Sequence, residues 1–369
     1  MLQDRIAVIN GLRGVAILGV VYTHLLRGWT PPGHREFELF GVTLYPYSPL
    51  SNSWLGVSLF FVLSGFVLFA PYAAGRRSMQ SGADAAAFLR RRALRLLPLY
   101  YIASMICFLF VLPPGLKHFS DFVALVTVTF PFTRTGFMPA YNWVLWSLGV
   151  EIWISALFPL LVFAWRRFGM GWVCLGSFVL SLAVRTIGTE PGFYDSNPIL
   201  NYVKDGPLGR LDDFVLGMLA ASLYRRAGGQ GQTKRWAVPG IVTGMLLFFV
   251  TASLWDSAQL GRIDRHVIGL LYNLFQASSL LVILGLLFTR SRVLTLLFAN
   301  RPLQLLGMMC YSLYVWHGLA VPRIVGPTIS TEGLLAYAVI VLFLSALTYR
   351  FVEFGHVRDG KALFTPAKT

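Results

Sequence analysis

Long apolar runs alternate with short polar punctuation along the whole chain. A helix needs about 20 predominantly apolar residues to cross a bilayer. Ten segments meet that requirement, roughly 6–29, 53–75, 96–114, 142–165, 170–187, 207–224, 237–255, 266–289, 303–322 and 334–352. An eleventh run, 120–137, is shorter and interrupted by Pro131, so it is expected to be re-entrant or interfacial rather than spanning. The predicted fold class is therefore all-α: a polytopic integral membrane protein, with one membrane-embedded domain over 1–360 and a polar tail over 361–369. The Gly/Gln-rich stretch 227–233 reads as a flexible link between basic clusters. No repeat period is visible, and the halves lack the mutual similarity of inverted-repeat carriers.

Composition strengthens this reading. Of 369 residues, 56% are hydrophobic and only 13% charged, too apolar for a soluble protein. A net charge of +15 raises nucleic acid as a partner, but the basic residues sit in short clusters between apolar runs and read as topology signals. If 120–137 does not cross, Arg76/Arg77, Arg90/Arg91/Arg92, Arg166/Arg167, Arg225/Arg226, Lys234/Arg235 and Arg290/Arg292 share one side with both termini. By the positive-inside rule that side is the cytoplasm, which suggests a bacterial inner (plasma) membrane with both termini cytoplasmic. The first segment lacks a small-residue cleavage site after a short apolar core and is expected to be a retained helix, not a signal peptide. Cys107, Cys174 and Cys310 stand alone in apolar runs and read as small hydrophobes.

The chemistry lies in ionisable residues at membrane depth, which are costly and mark sites or pathways. Arg13 and His24 share the first segment. Eleven residues of helix carry His24 roughly 16 Å beyond Arg13 while rotating it only about 20°, so both occupy one face. The competing reading makes Arg13 a snorkelling anchor and His24 an interfacial residue. Ser64 and Gly65 interrupt FFVLSGFVL, either for close helix packing or for substrate contact. Arg91, Arg92 and Arg95 cluster at the expected cytoplasmic start of a helix, where guanidinium groups suit phosphate. Glu151 lies one turn from Ser147, well inside an apolar run; its bland explanation is an ion pair to a neighbouring helix. Arg210 and Asp213 are spaced to pair at i,i+3, a structural arrangement. Late in the chain, Tyr314 and His317 share a face and suit either a hydrogen-bonded pair lining a cavity or, at His317, a satisfied buried histidine. The sequence contains no HExxH, GxSxG, Walker A or GxGxxG motif, and its six histidines form no local cluster, so no metal site is expected.

Taken together, these stretches resemble the membrane-bound acyltransferase family 3, the O-acetylases of exopolysaccharide, lipopolysaccharide, peptidoglycan and small glycosides. The resemblance covers nearly the whole chain. It rests on Arg13 and His24 at the family's ten-residue interval, on Phe60, Phe61, Leu63, Ser64, Gly65 and Phe66, and on Arg91, Arg92, Arg95 and Pro98. It rests further on Trp146, Ser147, Leu148 and Glu151, and on the YSLYxxH segment ending at His317. Glu353 departs from the family pattern, being followed by Phe354 and Gly355 instead of a basic residue and proline. The chain also lacks the esterase-like domain of longer relatives, which implies a stand-alone transferase.

The resemblance implies an O-acyltransferase, most simply an O-acetyltransferase, with acetyl-CoA or another acyl-CoA as donor and a glycan or glycoside hydroxyl as acceptor. No permanently bound cofactor is expected, and a homo-oligomer is compatible with this reading. A neutral His24 would take the acceptor's proton, with Glu151 or Tyr314 orienting its imidazole. Arg13 would meet the pantetheine or phosphate part of the donor, and Arg91, Arg92 and Arg95 the nucleotide phosphates. Ser64, Ser147, Tyr314 and His317 would contact substrate. Tyr45, Tyr47, Trp54, Tyr141 and Tyr194 are candidates for stacking on sugar rings, although interfacial belts look the same. The rival reading is a transporter or flippase using the same ionisable residues as a relay.

Overall fold

The structure is a computed structural model and describes residues 6–26, 31, 33–111, 119–140, 142–193, 200–228, 234–320 and 330–366. Its architecture is helical, apart from a small antiparallel hairpin of Phe37–Leu39 and Val42–Leu44. Besides two four-residue helices, Ser48–Ser51 and Gly360–Leu363, the α-helices among the described residues are α1 (Ala7–Leu26), α2 (Gly56–Ala73), α3 (Gly82–Ile106), α4 (Phe119–Thr127), α5 (Leu145–Phe168), α6 (Met170–Gly188), α7 (Leu211–Arg226), α8 (Ala237–Gln259), α9 (Ile268–Phe288), α10 (Arg292–Phe298), α11 (Arg301–Met308), α12 (Cys310–Ala320) and α13 (Thr331–Thr348). Among the described residues, eight helical stretches are long and apolar enough to cross a membrane.

Three expected spans take a different shape, among them 207–224, which is the 16-residue α7 and not one of the eight, whereas 120–137 is short, as expected of a segment that does not cross. The helix placed at 96–114 begins at Gly82, because Ser81 and Asp84 form a reciprocal capping box that starts it well before the apolar run. Residues 303–322 form two helices, α11 and α12, which meet at Met309. The segment 120–137 becomes α4 followed by a 3-10 turn at Phe130–Phe132. Nine residues of α4 extend only about 14 Å, less than half a hydrocarbon core. Residues 229–233 of the expected link lie outside the described residues, as do Tyr141, Tyr194 and the last three residues of the tail.

Close helix approach sets the frame around the site. A methyl group at Gly65 would lie 1.9 Å from the Phe214 carbonyl oxygen, and one at Gly217 1.9 Å from that of Val62, so α2 and α7 cross backbone to backbone. Gly307 on α11 fits against α1 in the same way, since a methyl there would stand 1.8 Å from the Asn10 carbonyl oxygen. α1 and α2 lie side by side, a methyl at Gly56 standing 2.7 Å from the Ala16 carbonyl oxygen, and another part of α1 is turned toward α3, α5 and α12.

A charged cluster braces the other half of the bundle. Arg185 makes a two-pronged bond to Asp212 at 2.6 and 3.0 Å, and Asn273 joins the same carboxylate. Lys204 and Tyr272 both donate to Asp205 at 2.5 Å. Arg210 pairs with Asp213 at 3.0 Å, the expected i,i+3 pair, donates to Ser58 and lies 4.3 Å above the Tyr272 ring. Three cations and three carboxylates balance, as buried charges must to be tolerated.

Candidate functional site

α1 delivers both of its ionisable residues into the protein. Near its start, Arg13 lines a narrow cleft of about 40 Å³ with Phe60, Phe61 and Ser64 of α2, Arg92 and Arg95 of α3, Ser147 and Glu151 of α5, and Cys310, Tyr311 and Tyr314 of α12. Arg92 bridges the helices: it donates to Glu151 at 3.1 Å and to Ser155 at 3.0 Å, while Ser64 donates to the same Glu151 oxygen at 3.1 Å. Glu151 therefore holds Arg92 in the cleft, and its bonds are to Arg92 and Ser64 rather than to His24. Arg95 is held over the Phe354 ring at 5.2 Å.

The lining carries three guanidinium groups against one carboxylate, an excess that favours an anionic guest. Arg13 Nε is buried with no hydrogen-bond partner among the described residues. Arg91, expected to join this cluster on a common face with Arg95, is exposed and outside the cleft lining. α3 begins at Gly82, so residues 92 and 95 line the cleft from within the helix.

Farther along α1, His24 is half-buried and faces protein. Its Nδ1 lies 2.9 Å from Nε2 of His317, with the two rings nearly coplanar at 5°, and the Trp143 ring packs edge-on at 4.3 Å. His317 is fully buried, and its Nδ1 is 2.7 Å from the Tyr314 carbonyl oxygen. A carbonyl oxygen only accepts, so His317 Nδ1 donates.

Tyr314 stands between the cleft and the two histidines. It lines the cleft, and its ring lies 5.1 Å from that of His317. Its hydroxyl accepts from Ser147 at 2.6 Å and donates to the Val144 carbonyl at 2.9 Å, so it is fully engaged and does not touch His24. Among the described residues no bond joins the imidazole to Glu151 or Tyr314; its Nδ1 meets His317, expected instead to contact substrate.

Several members of the site were not anticipated. Ser155 is one turn beyond Glu151, a local signal. Trp143, Cys310 and the pair of Ser312 with Glu353, 2.5 Å apart, become neighbours only through helix packing. Of the aromatics offered for sugar stacking, Tyr45 and Trp54 are buried, Trp54 against Trp255 at 5.3 Å, while Tyr47 packs on His34 at 5.4 Å. No group of three or more metal-binding side chains converges among the described residues.

Comparison with known proteins fits this geometry. Over 317 residues, 83% of the chain, it is 26% identical to a putative acetyltransferase, ORF330, of Acidianus two-tailed virus, covering 80% of that protein. It is 24% identical over 365 residues to the O-acetyltransferase OatA of Staphylococcus aureus (strain NCTC 8325 / PS 47). That alignment takes in 94% of the chain but only 56% of OatA. A putative O-acetyltransferase of S. aureus (strain COL) is also 24% identical, with 58% of its length covered. No solved structure matches the chain. The sequence profile described as "Acyltransferase domain" matches residues 6–350, from the start of α1 to the turn after α13. The chain therefore belongs to the membrane-bound acyltransferase family 3.

Proposed function

We propose that the protein is an O-acetyltransferase that moves an acyl group from acyl-CoA to a hydroxyl of a cell-surface or exported glycan or glycoside. The observation that carries this reading is the double duty of α1. One helix places a guanidinium in a cationic cleft and, on the same face roughly 16 Å away, an imidazole in a protein-enclosed pair. An anionic, phosphate-bearing donor fits the first station, and proton removal from a hydroxyl fits the second.

In this reading Arg13, Arg92 and Arg95 bind the charged part of the donor, and Glu151 with Ser64 keeps the guanidiniums splayed toward it. The thioester end extends past Tyr314 toward His24. The acceptor oxygen loses its proton to His24 Nε2 as it bonds to the thioester carbon. The carbon–sulfur bond then breaks, and the departing thiolate takes up the proton. A cytoplasmic opening of the cleft, with both termini cytoplasmic in a bacterial inner membrane, matches where coenzyme A is found and where the basic clusters lie.

Membranes containing the protein, given radiolabelled acetyl-CoA and an acceptor glycan, should label the glycan. His24→Ala should abolish the label while the protein remains in the membrane at its usual level. Movement of unmodified glycan without labelling would identify a carrier instead.

A further inference from the structure

We infer that His317 is a positioning residue that fixes the tautomer of His24, so that Nε2 and not Nδ1 of His24 accepts the proton. The catalytic consequence rests on the acyl-transfer reading above; the structural content stands on two hydrogen bonds. The Tyr314 carbonyl requires the proton on His317 Nδ1, 2.7 Å away. In the neutral ring, His317 Nε2 then holds a lone pair. The 2.9 Å contact with His24 Nδ1 is satisfied only if His24 Nδ1 carries a proton and donates it. His24 Nε2 is left with the lone pair. A single backbone carbonyl thereby sets the protonation pattern of two rings 293 residues apart in sequence.

The chain of bonds is held from both ends. The Tyr314 hydroxyl is pinned between Ser147 and Val144, which fixes the backbone that offers the carbonyl. The Tyr337 hydroxyl donates to the His317 carbonyl at 3.3 Å, tying α12 to α13. Trp143 closes one side of the His24 ring. When His24 takes a proton on Nε2, its Nδ1–H still points at His317 Nε2, and the bond becomes charge-assisted without any movement. His317 gains and loses no proton in the cycle. It acts as an uncharged orienting group behind a base, the part a carboxylate plays in catalytic triads.

The test uses the full chain in bilayers with 15N-labelled histidine. Solid-state NMR should find His24 protonated at Nδ1 and unprotonated at Nε2, with assignment by loss of its signals in His24→Ala. His317→Gln, whose amide oxygen reaches the position of Nε2, should keep that tautomer and retain kcat within about tenfold. His317→Leu should lose the tautomeric preference and lower kcat by on the order of 10²–10⁴-fold, with KM for acetyl-CoA unchanged because its residue lies outside the cleft. A wild-type His24 protonated at Nε2, or wild-type kcat in His317→Leu, would overturn the inference. If the wild-type protein transfers no acyl group at all, the acyl-transfer reading falls, and the tautomer of His24 in wild type and His317→Gln still decides whether His317 positions it.

Discussion

Ser64 and Gly65 are adjacent and meet different neighbours, and the close-packing reading of the motif holds at Gly65. Gly65 has no side chain because α7 passes against it, while Ser64 looks into the cleft and donates to Glu151. The pair of Glu151 and Arg92 is the ionic joint of the cleft, with side chains only 20% and 12% exposed. Removing one partner of such a pair leaves the other charge desolvated and costs roughly 3 kcal/mol. Glu151→Gln and Arg92→Ala should each lower the unfolding midpoint in detergent. The double variant should cost at least about 1 kcal/mol less than the sum, since both remove one interaction. Additive losses would mean the two side chains act separately. The common face of Arg13 and His24 was legible because it depends only on helix geometry within one segment. The partner of His24 was not, because no spacing rule relates residues on helices at opposite ends of the chain.

At the level of elements, hydropathy located the helices but misplaced their starts where charge intrudes. A window that seeks apolar residues passes over Arg90 to Arg95 and begins α3 too late; the Ser81 and Asp84 box, written in the sequence, marks the true start. Neighbouring residues point about 100° apart on a helix, so Arg92 faces Glu151 while Arg91 is exposed. The break at Met309 had no such marker, since α11 and α12 are both apolar enough to read as one run. Backbone crossings predict sharp differences among glycines. Gly65→Ala should sharply reduce the yield of folded protein, because its new carbon would stand 1.9 Å from a carbonyl oxygen of α7. Gly176→Ala, in α6 with nothing within 4 Å, should be neutral or stabilise by up to about 1 kcal/mol. Thermal unfolding followed by size exclusion in detergent checks both.

Across the whole molecule, charge is distributed in two ways. The cluster around Arg185, Lys204 and Arg210 is neutral in sum, each cation paired with its own carboxylate, which fits a brace. The cleft keeps an excess of arginine over carboxylate, which fits a binding site. Asp212→Ala should accordingly destabilise the fold by roughly 3–5 kcal/mol while leaving KM for acetyl-CoA unchanged in the protein that does fold. The account as a whole requires that the two ionisable residues of α1 serve separate steps, donor binding at one station and proton transfer at the other. Steady-state kinetics of acetyl transfer from acetyl-CoA by the purified protein, with Arg13→Ala and His24→Ala measured side by side, tests this most directly. Arg13→Ala should raise KM for acetyl-CoA at least tenfold with the smaller change in kcat, and His24→Ala should reduce kcat to background. Transfer by His24→Ala at the wild-type rate, or an Arg13→Ala variant with unchanged donor dependence, would contradict it.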